Sequence, residues 1–156
     1  LLITYLLLVF TAFADDTPEL LFQKIRENHN EFESREMFDQ KLMQILENYV
    51  PDLIVLAGFM RILSPLFLKK VKIPVINVHP SLLPRLKGLN THLRAIKEKH
   101  KYSGCTIHFV ESKLDSGKII TQKKIKILKK DTPKTLAKKI LKLEHKAYIE
   151  ALEKII

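Results

Sequence analysis

Five consecutive apolar residues, Leu53–Ala57 (LIVLA), are set off by Pro51-Asp52 before and Gly58 after. A strand apolar at every position fits burial on both faces, which is the habit of parallel sheets covered by helices. Two further short strands are read at Pro74–Val78 and Gly104–Val110, with segments of helical spacing between them. Helices alternating with short apolar strands predict an α/β fold. With 156 residues, one domain of this class can bury a core of useful size.

The helices have readable starts. Thr17 and Pro18 open a helix running to Asn28, with Leu20, Leu21 and Ile25 as its apolar stripe. Ser34 caps a second helix reaching about Tyr49, with Met37, Phe38, Leu42, Ile45 and Leu46 at helical spacing. Ser64-Pro65 begins a brief helix to about Val71, and another spans Thr91 to about Lys99. Ile119–Ile127 alternates like an antiparallel strand after a turn at Ser116-Gly117. Asp131 or Thr132 caps a long final helix whose buried face is Leu136, Ile140, Leu143, Ala147 and Leu152.

The first sixteen residues, LLITYLLLVFTAFADD, carry an apolar run too short for a membrane span. The run has the length of a signal-peptide core, with Ala12-Phe13-Ala14 as a cleavage site, but no basic segment precedes it. We read the chain as lacking its natural start and Ile3–Phe10 as a buried strand. A single cysteine, Cys105, excludes an internal disulfide framework and fits a reducing, cytoplasmic setting. Its place in SGCTIHFV reads as a small core residue rather than a nucleophile.

The formal charge is +10, and residues 118–156 hold twelve lysines against four acids. A basic surface concentrates anionic ligands such as phosphates and polycarboxylates. These lysines spread around a helix as a solvated face. No arginine-rich cluster is interleaved with aromatics, so nucleic acid is not an expected partner, nor is a membrane. No His, Cys, Asp or Glu pairs show zinc-type spacing, so no metal is expected.

The polar residues that matter gather at strand ends. Asn77 and His79 stand two apart at the end of the strand before Pro80, and alternate residues of a strand face the same side. Clefts of open α/β sheets form at such ends. Asp115, in LDSG, follows the strand 104–110. If the two strands are near each other, a carboxylate meets an imidazole, which suits a group that takes and returns a proton. The Asn77 amide can donate to an oxygen gaining charge in a tetrahedral intermediate. This trio suits acyl transfer without a covalent enzyme intermediate. Read by spacing alone, the same residues are also an ordinary turn and a satisfied histidine. His108 reads as a packed or half-exposed strand residue, and His29, His100 and His145 carry no partner pattern.

Three blocks, LAGFMRILSP (56–65), INVHPSLLPRLKGLNTH (76–92) and GCTIHFVESKLDSGKII (104–120), together resemble phosphoribosylglycinamide formyltransferase. Their order and spacing match over roughly residues 29–156. The resemblance implies a Rossmann-like formyltransferase fold: a mostly parallel central sheet flanked by helices, with an antiparallel C-terminal strand and the long final helix. It implies formyl transfer from 10-formyltetrahydrofolate, as co-substrate, to the amino group of glycinamide ribonucleotide, in a monomer or homodimer. Carried over residue by residue, Asn77, His79 and Asp115 are the catalytic trio. His79 handles protons, Asn77 holds the formyl oxygen, and Asp115 positions the imidazole and a water. Met60, Arg61, Ile62 and Leu63 match the stretch that contacts folate through backbone groups. Val110 with Glu111, Ser112, Lys113 and Leu114 matches the wall around the pteridine. Gly58, Pro80 and Glu144 match residues lining the ribonucleotide site. A cis peptide is implied at Leu83-Pro84.

One departure stands out. The family's first strand leads into a Gly-Ser-Asn loop whose amides hold the ribonucleotide phosphate. The four glycines here are Gly58, Gly88, Gly104 and Gly117, and Leu1–Asn28 does not align. Each charge-assisted hydrogen bond lost with such a loop is worth about 1.5–3 kcal/mol, so weak binding of the ribonucleotide is expected. The alternatives are a related folate-dependent formyltransferase or hydrolase, and a non-catalytic remnant.

Overall fold

A computed structural model of the chain describes residues 6–10, 34–49, 51–59 and 61–155. The helix expected over Thr17–Asn28 lies outside them, as does Met60. The chain divides into two compact units, Leu1–Asn77 and Val78–Ile156.

In the first unit, strand β1 (Leu6–Phe10) runs antiparallel to β2 (Leu53–Ala57), with Leu6 opposite Ala57. The N-terminal apolar run thus contains a strand. β2 runs parallel to β3 (Val75–His79), with Ile54 opposite Val75 and Leu56 opposite Asn77. Leu53, Ile54, Val55 and Leu56 are all buried, as a strand covered on both faces requires.

Helix α1 (Arg35–Tyr49) starts as expected, with the Ser34 hydroxyl accepting the Met37 amide hydrogen at 3.1 Å. Phe38, Leu42 and Leu46 form its buried ridge at a spacing of four. Met37, expected on that stripe, is 49% exposed because it stands about 100° around the helix from Phe38. Asp39 is buried instead. Its Oδ2 accepts the Ser64 amide hydrogen at 2.8 Å and ties α1 to the start of α2 (Pro65–Lys70). Ser64 caps α2 through the Phe67 amide at 3.0 Å, and Phe67 is the side chain this short helix buries.

The second unit holds α3 (Thr91–Lys97), β4 (Tyr102–Phe109), β5 (Ile119–Lys126) and α4 (Pro133–Ile155). β4 begins two residues before the expected Gly104. β5 pairs antiparallel with β4, from Tyr102 opposite Lys126 to Ile107 opposite Thr121. A register shift between Ile107 and His108 marks a bulge, a device that re-aims side chains at sheet ends. Gly104 sits where β5 comes close: a methyl group there would run into the Lys123 carbonyl and the Leu82 side chain.

The long helix α4 packs along β4 and β5. Thr132 is its cap, its hydroxyl accepting the Thr135 amide hydrogen at 3.2 Å. Leu136, Ile140, Ala147 and Ala151 are the buried face. Leu143 and Leu152 are only half-buried, and Ala151 takes the buried position expected of Leu152. Each unit has the strands and helices of an α/β protein, with the antiparallel β5 and final helix in place. Among the described residues, no helix is long and apolar enough to cross a membrane.

Candidate active site

His79, the last residue of β3, is 5% exposed. Its Nε2–H donates to the Leu86 carbonyl at 2.8 Å. Its Nδ1 lies 3.3 Å from Asp115 Oδ2. With Nε2 donating to a carbonyl, Nδ1 is the ring nitrogen that faces the carboxylate.

Asp115 comes from the turn after β4. Its φ of 46° is left-handed, a conformation that aspartate tolerates better than most residues. The Ser116 hydroxyl closes the turn on the Lys113 carbonyl at 2.7 Å. Gly117 packs so tightly on the Phe109 carbonyl that no Cβ fits. Asp115 Oδ2 also accepts the Gly88 amide hydrogen at 2.8 Å. One carboxylate oxygen thus anchors both the imidazole and the loop after β3.

That loop is built by short hydrogen bonds. The Ser81 hydroxyl donates to the Arg85 carbonyl at 2.6 Å. Thr106 Oγ1 donates to the Ser81 carbonyl at 2.7 Å and accepts the Leu83 amide hydrogen at 3.1 Å. Gln122 Nε2 donates to the Leu83 carbonyl at 2.9 Å. The Leu83-Pro84 peptide is cis. Leu86, Gly88 and Asn90 all take positive φ, and Arg94 Nη1 donates to the Lys87 carbonyl at 2.7 Å. These contacts set the Leu86 carbonyl against His79.

His108 belongs to this cluster and was not singled out by its spacing. It is buried, its Nδ1–H donates to the Phe109 carbonyl at 2.8 Å, and its Nε2 lies 3.8 Å from Asp115 Oδ1. Burial pushes its pKa down, against the opposing pull of the Phe109 carbonyl and Asp115. The Leu86 carbonyl and Gly88 amide were also missed, since backbone groups carry no residue signature. His92 has a buried Nδ1 with no hydrogen-bond partner among the described residues. Its pKa is lowered, first by burial and then by the charge of His79.

The other expected residues fall as follows. Asn77 is half-buried on β3, two positions before His79. Gly58 follows β2 with a φ of 64°. Pro80 is half-buried directly after β3. Arg61 places its guanidinium 4.9 Å from the centre of the Phe38 ring, so its side chain is engaged in packing. Phe59 lies with its ring 6.0 Å from that of Phe38. Residues 61–64 lie outside helix and strand; Leu63 is buried and Ile62 is 48% exposed. Val110 is half-buried, while Glu111, Ser112, Lys113 and Leu114 are exposed.

Glu144 sits on α4, half-buried, and burial pushes its pKa up to about 7. Cys105 is buried on β4 and its thiol is pushed up to about 12, mainly by burial and then by Glu144. A thiol held protonated in this way is no nucleophile. The described residues hold no group of three or more His, Cys, Asp or Glu side chains suited to a metal ion.

The sequence profile of the formyl transferase family matches residues 11–152. The chain is 41% identical over 126 residues to the trifunctional purine biosynthetic protein adenosine-3 of Gallus gallus, covering 81% of this chain and 13% of that protein. It is 40% identical over 117 residues to the phosphoribosylglycinamide formyltransferase of Escherichia coli (strain K12), covering 75% of this chain and 55% of that one. The crystal structure of phosphoribosylglycinamide formyltransferase from Brucella melitensis superposes with a TM-score of 0.73 at 42% identity, over 80% of this chain and 64% of that one. The Bacillus halodurans structure of the same description gives 0.77 at 33% identity, over 91% and 76%. The chain therefore spans about half the length of the E. coli relative and a smaller share of the trifunctional one.

Proposed function

We propose a function from the premise that this chain belongs to the formyl transferase family. It transfers the formyl group of 10-formyltetrahydrofolate to the amino group of glycinamide ribonucleotide, a step of purine synthesis. The observation that carries this reading is the Asp115 carboxylate 3.3 Å from His79 Nδ1, with the far side of the ring held by Leu86.

The folate supplies an activated formyl group. The chain has to orient it, stabilise charge on its oxygen and move one proton. The amine needs no Ser or Cys nucleophile to assist it, and Cys105 is unsuited to that part. His79 takes a proton at Nδ1 as the amine adds to the formyl carbon, and returns one to the departing folate nitrogen. Asp115 holds the ring and stabilises the imidazolium formed on the way. Asn77 donates its amide to the formyl oxygen as charge gathers there. Buried His108 packs beside Asp115, its Nε2 3.8 Å from Oδ1.

Ile62 in the first unit and Leu114 in the second are exposed apolar side chains. Because Arg61 is stacked on Phe38, backbone groups of residues 61–63 and the Ile62 side chain are what this stretch offers a ligand. Glu144, half-buried and easily protonated, offers the ribonucleotide a carboxyl group that hydrogen-bonds in either charge state. The reading assigns small-molecule partners and a cytoplasmic setting, in a monomer or homodimer.

Product analysis tests it. Incubated with both substrates, the protein should yield formylated ribonucleotide by mass spectrometry. Free formate alone would mark a hydrolase, and no product would mark a non-catalytic relative.

A further inference from the structure

A pocket of about 410 Å³ lies within the second unit, between the loop after β3 and the start of β4. Its volume is in the range of small-molecule sites. It is lined by Arg85, Lys101 and Lys124, with His100 beside them, and no carboxylate takes part in the lining. Glu98, which pairs with His100 at 3.0 Å, is also engaged by Arg94 at 3.6 Å. Among the described residues, no carboxylate stands within ion-pair distance of Arg85 or Lys101. Three permanent cations around one concavity repel each other unless an anion joins them.

Part of the lining is apolar. Pro84 and the Tyr102 ring line the pocket, and Lys124 Nζ lies 4.0 Å from the centre of that ring. Ser103, also in the lining, carries a buried hydroxyl with no hydrogen-bond partner among the described residues.

We propose that this pocket binds a phosphate monoester with a flat, apolar body, at a place separate from the His79–Asp115 pair. The phosphate lies among Arg85, Lys101 and Lys124, and the body lies against Pro84 and Tyr102. Leu86 lines the same pocket, and its carbonyl accepts the His79 Nε2–H at 2.8 Å. One turn of chain therefore borders both the pocket and the imidazole, so the occupant is sensed at the His79 ring.

The probe is phenyl phosphate, compared with phenol and with inorganic phosphate, titrated into the full chain by calorimetry and by amide NMR. Phenyl phosphate should bind saturably, more tightly than either half-molecule, and shift the amides of residues 85–86 and 101–103 together with the His79 ring signals. The double substitution Arg85→Ser with Lys101→Ser removes two exposed cations, so the fold should persist by circular dichroism. It should weaken binding about tenfold or more. Lys124→Gln serves as an independent second variant with the same expectation. The proposal is overturned if no saturable binding occurs, if both variants bind as the parent does, or if the shifts centre on Gly88 and Asp115. Binding of a short RNA at the same residues with no affinity for phenyl phosphate would overturn it as well.

Discussion

The Asp115 oxygen that faces His79 Nδ1 at 3.3 Å is the same oxygen that accepts the Gly88 amide hydrogen at 2.8 Å. One side chain thus orients the imidazole and fastens the loop whose Leu86 carbonyl holds the other edge of the ring. Asp115→Asn keeps the size and can still accept from Gly88, but it removes the negative charge. It should lower kcat for formyl transfer by about 100-fold or more while leaving KM for the folate within a few-fold. Steady-state kinetics checks this, and a drop confined to KM would disagree.

Glu144 gives a stability signature with a definite sign. Its pKa is raised to about 7 by burial, so the folded protein holds this proton more tightly than the unfolded chain does. Stability contributed by this group is therefore lost as pH rises from the ordinary carboxylate range through about 7. Glu144→Gln removes the loss. Thermal unfolding should show the variant more stable than the parent at about pH 8, with the difference closing towards about pH 5.

His92 acts in the opposite direction. Burial and the neighbouring His79 lower its pKa, so the unfolded chain takes up the proton first as pH falls. Its buried Nδ1 has no partner among the described residues, an added cost at any pH. His92→Leu should raise the melting temperature, and the gain should widen between about pH 7 and about pH 5.5. A gain independent of pH would leave only the orphaned nitrogen as its cause.

Gly104 tests the packing of β4 on β5. A methyl group there meets the Lys123 carbonyl, a backbone atom that cannot swing away. Gly104→Ala should destabilise the fold by about 3 kcal/mol, read by urea denaturation. Gly88→Ala probes a different physical effect, the left-handed φ of 76° at a position where a Cβ would make only an ordinary contact with Leu114.

Much of the fold was legible because it rests on local signals. Ser34, Ser64 and Thr132 cap the helices that their positions announce. LIVLA forms the buried strand that its composition requires. Met37 and Leu152 failed because helical spacing leaves the edges of an apolar stripe undecided; the facing element chooses Phe38 and Ala151. The site divides in a similar way. Asn77 and His79 share one strand and could be paired by period alone. Asp115 stands 36 positions beyond His79, and only the resemblance brought it to the imidazole before the coordinates did. The Leu86 carbonyl and the Gly88 amide have no signature, because any residue supplies them. His108 was legible as buried but not as a neighbour of Asp115, since the bulge after Ile107 sets its direction.

The most direct test is the single-turnover rate of formyl transfer by His79→Gln, a variant able to hydrogen-bond the Leu86 carbonyl but unable to shuttle a proton. The account predicts a fall of about 10²–10⁴-fold with the fold intact and the ribonucleotide still bound. Transfer at the parent rate by that variant would contradict it.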